Sequence, residues 1–187
     1  TDPLEKLLSQ GMESETLVRD IIEALDAAAS DSRITHLLLD TDYMAGAGLS
    51  KLEEISSALV RFKQSGKPII AVADDYGQQQ YYLAAHADEI LLNPLGSVLI
   101  TGFASYRSYY KEALDKLRVK VHIFRVGDFK SAVEPFFLDS MSDANIKQTM
   151  TYLNAMWGQM LKGISETRGI SISELNEIAD SVYVRNP

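Results

Sequence analysis

The chain has 187 residues, of which 46% are hydrophobic, and a formal net charge of -8 at pH 7. That length and apolar content suit one well-buried core, alone or with an appended helical piece, and exclude a disordered chain. The acidic balance, with no Lys/Arg-rich face to neutralise phosphates, argues against nucleic acid as a partner, and the lack of cysteine removes disulfide and thiolate chemistry.

No apolar run reaches the roughly 18 residues of a membrane span, and no charged start leads into an apolar segment and a cleavage site. The chain begins without Met at TDPLEK and stops at SVYVRNP, where Pro187 is suited to open another helix, so it reads as a piece of a longer protein.

The first segment, ETLVRDIIEALDAAASD, carries Leu17, Val18, Ile21, Ile22, Leu25 and Ala28 at helical spacing. ITHLLLD (34–40) is a nearly continuous apolar run, which predicts a strand covered on both faces. After the loop TDYMAGAG, a second helical stripe of Leu52, Ile55, Leu59 and Phe62 is closed by Gly66 and Pro68. PIIAVAD predicts a second buried strand, QQQYYLAAHAD a helix and EILLNP a third strand. Tyr106, Tyr109, Tyr110, Ala113, Leu114 and Leu117 line one side of the next helix, and VKVHIFRVG predicts a fourth strand. Strands alternating with such helices imply crossover connections and a mainly parallel sheet. After Gly127 the chain turns helix-rich: Ile146, Met150, Leu153, Trp157, Leu161 and Ile164 form a long amphipathic stripe behind Ser142 as N-cap, and SISE (171–174) has capping-box spacing.

Three features bear on chemistry. Asp40 and Asp42, and Asp74 and Asp75, follow predicted strands, where paired carboxylates can hold Mg²⁺ or act as acid and base. Without a third ligand or a phosphate loop they read as solvated turns, and His36, His86 and His122, none at metal-ligand spacing from another, read as structural, so no metal or cofactor is expected. The AGAG loop (45–48) can present backbone N–H groups to an oxyanion, or it can be a plain turn; it lacks both G-x-G-x-x-G and a phosphate-loop lysine. Lys130 lies among Phe129, Val133, Phe136 and Phe137. A lysine works as a general base only when neutral, a change of about 4 to 5 kcal/mol from its ordinary state that burial among aromatic side chains supplies. Glu134, four residues on, opposes this if both share a helix face, and a surface pair with Glu134 is the plain alternative.

Four stretches together, DPLEKLL, SGKPIIAVADDYGQQQYYLAAHADEILLNPLGSV, GFASYRSYYKEALDKLRV and FRVGDFKSAVEPF, resemble the amino-terminal half of the long form of the signal peptide peptidase A (protease IV) family of serine proteases. The resemblance covers nearly the whole chain, and the segment around Lys130 is its most specific part. It implies an α/β, crotonase/ClpP-like fold of repeated β-β-α units with a mainly parallel sheet and a helical C-terminal extension. The core then spans 1–126, and the base-bearing segment and extension span 127–187, truncated before the catalytic carboxy-terminal half.

The family builds each long subunit from two related halves and uses a Ser-Lys dyad with its lysine in the amino-terminal half. On this match Lys130 is the general base. The position matching the nucleophile, in YGQQQYYLAA, is held by Gln78, which cannot attack a carbonyl. Ser131 is a poor substitute, because neighbouring helical residues point about 100° apart. The AGAG loop falls where the related half carries its oxyanion-hole glycines. The resemblance further implies signal-peptide and other apolar peptide substrates, the carboxy-terminal half as partner, a homotetramer, and an inner-membrane, periplasmic setting whose anchor is absent from this chain. The isolated chain is expected to be inactive. Two other readings compete: a non-catalytic assembly domain with the helical tail as its interface, and a crotonase-type acyl-CoA enzyme, against which no Glu follows a glycine-rich loop.

Overall fold

The computed structural model describes residues 16–124, 126–127 and 130–181. The chain divides into two compact units, Thr1–Val98 and Leu99–Pro187, and the sequence boundary at 126/127 falls inside the second.

In the first unit, helix α1 (Val18–Ser30) packs on helix α2 (Leu49–Lys63). The predicted stripe of α2 is its buried face: Leu52, Ile55, Leu59 and Phe62 are all out of water. The chain leaves α2 through Gly66, at φ +78, and Lys67 then turns back to α1, its Nζ donating to the carbonyls of Ala28 (2.7 Å), Ala29 (3.0 Å) and Asp31 (2.7 Å). This is a cationic cap on a helix C-terminus, where the last carbonyls lack intrahelical donors.

Strands β1 (Leu37–Asp40), β2 (Ile69–Ala73) and β4 (Glu89–Leu92) form a parallel sheet in the order β1-β2-β4. Strand β3 (Tyr76–Gly77) lies between β2 and helix α3 (Gln78–Ala84), and a second, two-stranded sheet joins β3 to β5 (Val98–Leu99), where the first unit ends. The run β2-β3-α3 is one β-β-α unit, and in the second unit helix α4 (Lys111–Lys116) is the next helix in chain order.

The expectation of strands covered on both faces is corrected. Ile69, Ala71 and Ala73 are buried, and the register sets Leu37, Leu39 and Ile90 beside them. On the opposite face Leu38 is 58% exposed and Leu91 48% exposed, next to Ile70 and Val72. An apolar run fills both faces of a strand, but the described residues cover only one.

In the second unit the predicted helix from Tyr106 to Leu117 shortens to α4. Tyr110, its N-cap, donates its N–H to Pro135 O at 2.7 Å, and Arg118 at φ 56 ends it. The predicted fourth strand is also corrected: Val119–Phe124 is irregular, with Val119, Val121 and Phe124 exposed. A strand needs a neighbouring ladder, and none of the described residues offers this segment one.

A 3-10 helix (Ser131–Phe136) is followed by α5 (Asp143–Arg168) and α6 (Ile172–Ser181). The predicted caps are present: Ser142 Oγ accepts from Asn145 N (3.2 Å), and Ser171 Oγ accepts from Glu174 N (3.1 Å). Met160, Leu161 and Ile164 of α5 are buried, as are Leu175 and Ala179 of α6. Trp157 donates to Asn176 Oδ1 (2.9 Å) and meets Phe103 edge-on. Nearer the start of α5 the same apolar stripe lies open, with Ile146 and Met150 exposed. Among the described residues no helix is long and apolar enough to cross a membrane.

Candidate active-site cleft

Lys130 is the N-cap of the 3-10 helix, reached through Gly127 at φ +100. It lines an open cleft of about 420 Å³ with Arg107, Ser131, Ala132, Asn145, Gln148, Thr149 and Tyr152. Among the described residues no carboxylate lines this cleft, and its charged lining residues are Arg107 and Lys130. Its floor is tied down by Arg107, whose Nη1 donates to Ser131 O at 2.9 Å.

The side chain of Lys130 is exposed, not enclosed by aromatic rings. Phe136, expected to help desolvate it, instead pairs with Tyr110 at 6.2 Å between ring centroids, and Phe129 lies outside the described residues. Glu134, weighed as the partner of Lys130, points elsewhere. It is fully buried, and its carboxylate accepts from Ser142 Oγ (2.5 Å), Ser142 N (3.3 Å) and Asn145 Nδ2 (2.9 Å). Helix N-termini carry unpaired N–H groups and a positive dipole end, which is why a buried carboxylate is tolerated there.

In the first unit Gln78 is the first residue of α3, directly after β3. Gln79 and Gln80, the next two residues, tie this helix start to neighbouring loops. Gln79 Oε1 accepts the N–H of Ala47, in the AGAG loop, at 2.9 Å. Gln80 Oε1 accepts the N–H of Gly77 (2.7 Å), and its Nε2 donates to Thr41 O (2.6 Å). A backbone N–H that an oxyanion hole would offer to substrate is therefore already bonded inside the chain.

The paired aspartates are used in the same way. Asp40 Oδ1 accepts from Asp42 N (3.1 Å), and Asp42 Oδ1 accepts from Asp74 N (2.6 Å). Asp74 Oδ1 accepts from Asn93 Nδ2 (2.8 Å), and Asp75 Oδ1 from both N (2.8 Å) and Oγ (2.9 Å) of Ser97. These are loop ties. Among the described residues no group of three or more His, Asp or Glu side chains is placed to hold a metal ion. His86 is buried against Tyr82, bonded through Nδ1 to Tyr82 O (2.9 Å), and burial lowers its pKa. His36 meets Thr35 Oγ1 (2.8 Å), and His122 is exposed.

Sequence reasoning did not name Arg107, Asn145, Gln148, Thr149 or Tyr152. The last four recur at i, i+3, i+4 and i+7 along α5, a polar stripe beside the apolar one. That spacing is present in the sequence.

The model of peptidase family S49 matches residues 61–185. Protease 4 of Haemophilus influenzae is 44% identical over 90% of this chain and 28% of its own length, and Protease 4 of Salmonella typhi is 43% identical over 86% and 26%. A protein of Arabidopsis thaliana named serine protease SPPA, chloroplastic, is 26% identical over 98% of this chain and 26% of its own. The chain thus spans just over a quarter of the length of the curated relatives it matches. A crystal structure of an enoyl-CoA hydrotase/isomerase family protein from Silicibacter pomeroyi covers 89% of this chain and 85% of its own at 14% identity, with a TM-score of 0.38, a likeness too loose to carry a reading of the site. The family match spans both the α3 start with Gln78 and the cleft with Lys130, and with the identity to the two bacterial proteases it establishes that the chain belongs to peptidase family S49.

Proposed function

We propose that this chain is the amino-terminal part of a Ser-Lys endopeptidase, in which Lys130 is the general base and the nucleophilic serine comes from sequence outside the chain. One observation carries the reading: a lysine faces an open cleft, while the helix-opening position that the resemblance assigns to the nucleophile holds Gln78.

In the reaction, neutral Lys130 Nζ takes the hydroxyl proton of the serine as the Ser Oγ–C bond forms on the scissile carbonyl. The ammonium then protonates the leaving amine as the C–N bond breaks, and water hydrolyses the acyl-enzyme with the lysine again as base. Desolvation favours a neutral lysine. Lys130 is exposed in this chain, so the serine-bearing part is what covers it. The substrates are apolar peptides, cleaved signal peptides among them, and the assembled enzyme is a homotetramer held at the bacterial inner membrane and working on the periplasmic side.

The test is hydrolysis of an apolar fluorogenic peptide by a full-length protease carrying this sequence, with Lys130 intact or changed to Ala, beside the isolated chain. Lys130→Ala is expected to lower kcat by about 10⁴-fold or more in a folded protein, and the isolated chain to be silent. The exposed start of the α5 stripe, Ile146 and Met150, favours the competing reading of a non-catalytic assembly domain. Activity that survives Lys130→Ala establishes that reading instead.

A further inference from the structure

A general base is useful only where its nitrogen is held within a fraction of an ångström of the proton it takes. The backbone around Lys130 is pinned at three points. Arg107 Nη1 holds Ser131 O at 2.9 Å, and Tyr110 N holds Pro135 O at 2.7 Å. The third point is the Glu134 side chain, which is fully buried and joins the 3-10 helix to the first turn of α5 through Ser142 and Asn145. Its own carbonyl accepts from Phe137 N (3.1 Å) and Leu138 N (2.9 Å), closing the turn behind it. Asn145 and Thr149 carry the link into the cleft: Thr149 Oγ1 donates to Asn145 Oδ1 (3.3 Å), and both residues line the wall that Lys130 faces.

We infer that Glu134 is a positioning residue for the base: its carboxylate, bonded to Ser142 and Asn145, fixes the 3-10 turn against α5 and so sets where Lys130 enters the cleft. The inference rests on Lys130 acting as the base. A carboxylate does this better than an amide, because all the partners named here are donors and only a carboxylate accepts through both oxygens. In Glu134→Gln the new amide nitrogen meets a donor, Asn145 Nδ2 or the Ser142 groups, and the turn shifts.

The experiment measures kcat and KM of the full-length protease on an apolar fluorogenic peptide for Lys130→Ala, Glu134→Gln and Ser142→Ala, with folding followed by thermal unfolding. The expected result is a kcat about 10²-fold lower in folded Glu134→Gln with KM little changed. Wild-type kcat in Glu134→Gln overturns the inference. If Glu134→Gln does not fold, Ser142→Ala carries the test by withdrawing one donor from the same carboxylate. A kcat loss of about tenfold at unchanged KM then supports the inference, and wild-type kcat overturns it. Survival of activity in Lys130→Ala removes the general-base reading and this inference with it, whereas a dead Lys130→Ala beside a wild-type Glu134→Gln removes only the positioning role.

Discussion

Burial holds the Tyr76 phenol neutral up to about 12, and the nearby Asp42 and Asp40 charges add to the rise. Its hydroxyl donates to Leu91 O at 3.1 Å. An unfolded tyrosine ionises near 10, so between about 10 and 12 the unfolded chain gives up a proton that the folded chain keeps, and stability falls as pH rises through that window. Below it Tyr76 contributes no slope. Tyr76→Phe is expected to cost about 1 kcal/mol at pH 8 for the lost hydrogen bond. The gap between variant and parent then narrows as pH is raised past about 10, because Phe has no proton to lose. Urea unfolding at a series of pH values reads this directly, and a gap that stays constant contradicts it. At the same scale, Glu134 shows where sequence reasoning stops. The i, i+4 pairing of Lys130 with Glu134 assumes 3.6 residues per turn, but Pro135 lies within the segment and it folds as a 3-10 helix with three. Residues four apart no longer share a face, and the carboxylate turns to Ser142 instead.

Most helices were legible because their apolar stripes repeat at helical spacing and their caps are local. Ser142 and Ser171 both act within a few residues of themselves. The predicted fourth strand failed because a strand is defined by its neighbour, which a single segment does not reveal. The loop-to-helix contact at the AGAG turn was illegible for the same reason, since Ala47 and Gln79 are far apart in sequence. That contact makes a prediction at the scale of the element. Gly46 has φ +113, and a Cβ there would lie 2.8 Å from Gln79 Oε1. Gly46→Ala therefore strains the backbone and also pushes the Gln79 amide off the Ala47 N–H, for an expected cost of about 1 to 3 kcal/mol. Gln79→Ala alone loses only the hydrogen bond. In the double variant nothing is left to displace, so its cost falls short of the sum by about 0.5 kcal/mol or more. A double-mutant cycle measured by urea unfolding tests this, and strict additivity means that Gln79 does not hold the loop.

At the scale of the whole molecule, the described residues cover the parallel sheet of the first unit on one face, an unusual state for strands this apolar. Continuous runs such as LLLD and IIAVA signal cover on both sides, and the chain spans just over a quarter of its curated relatives' length. The two faces should therefore respond differently to substitution in the isolated chain. Ile69 is fully buried on the covered face, and Ile69→Ala removes packed methyl groups at an expected cost of about 2 to 5 kcal/mol. Leu38, one strand over and 58% exposed on the other face, already meets water, and Leu38→Ala is expected to change stability by no more than about 0.5 kcal/mol. Urea unfolding of both variants at one pH decides the matter. Similar costs at the two sites mean that something in the chain covers Leu38 in solution and the sheet is two-sided after all, whereas a several-fold difference establishes that its second face is open to water in the isolated chain.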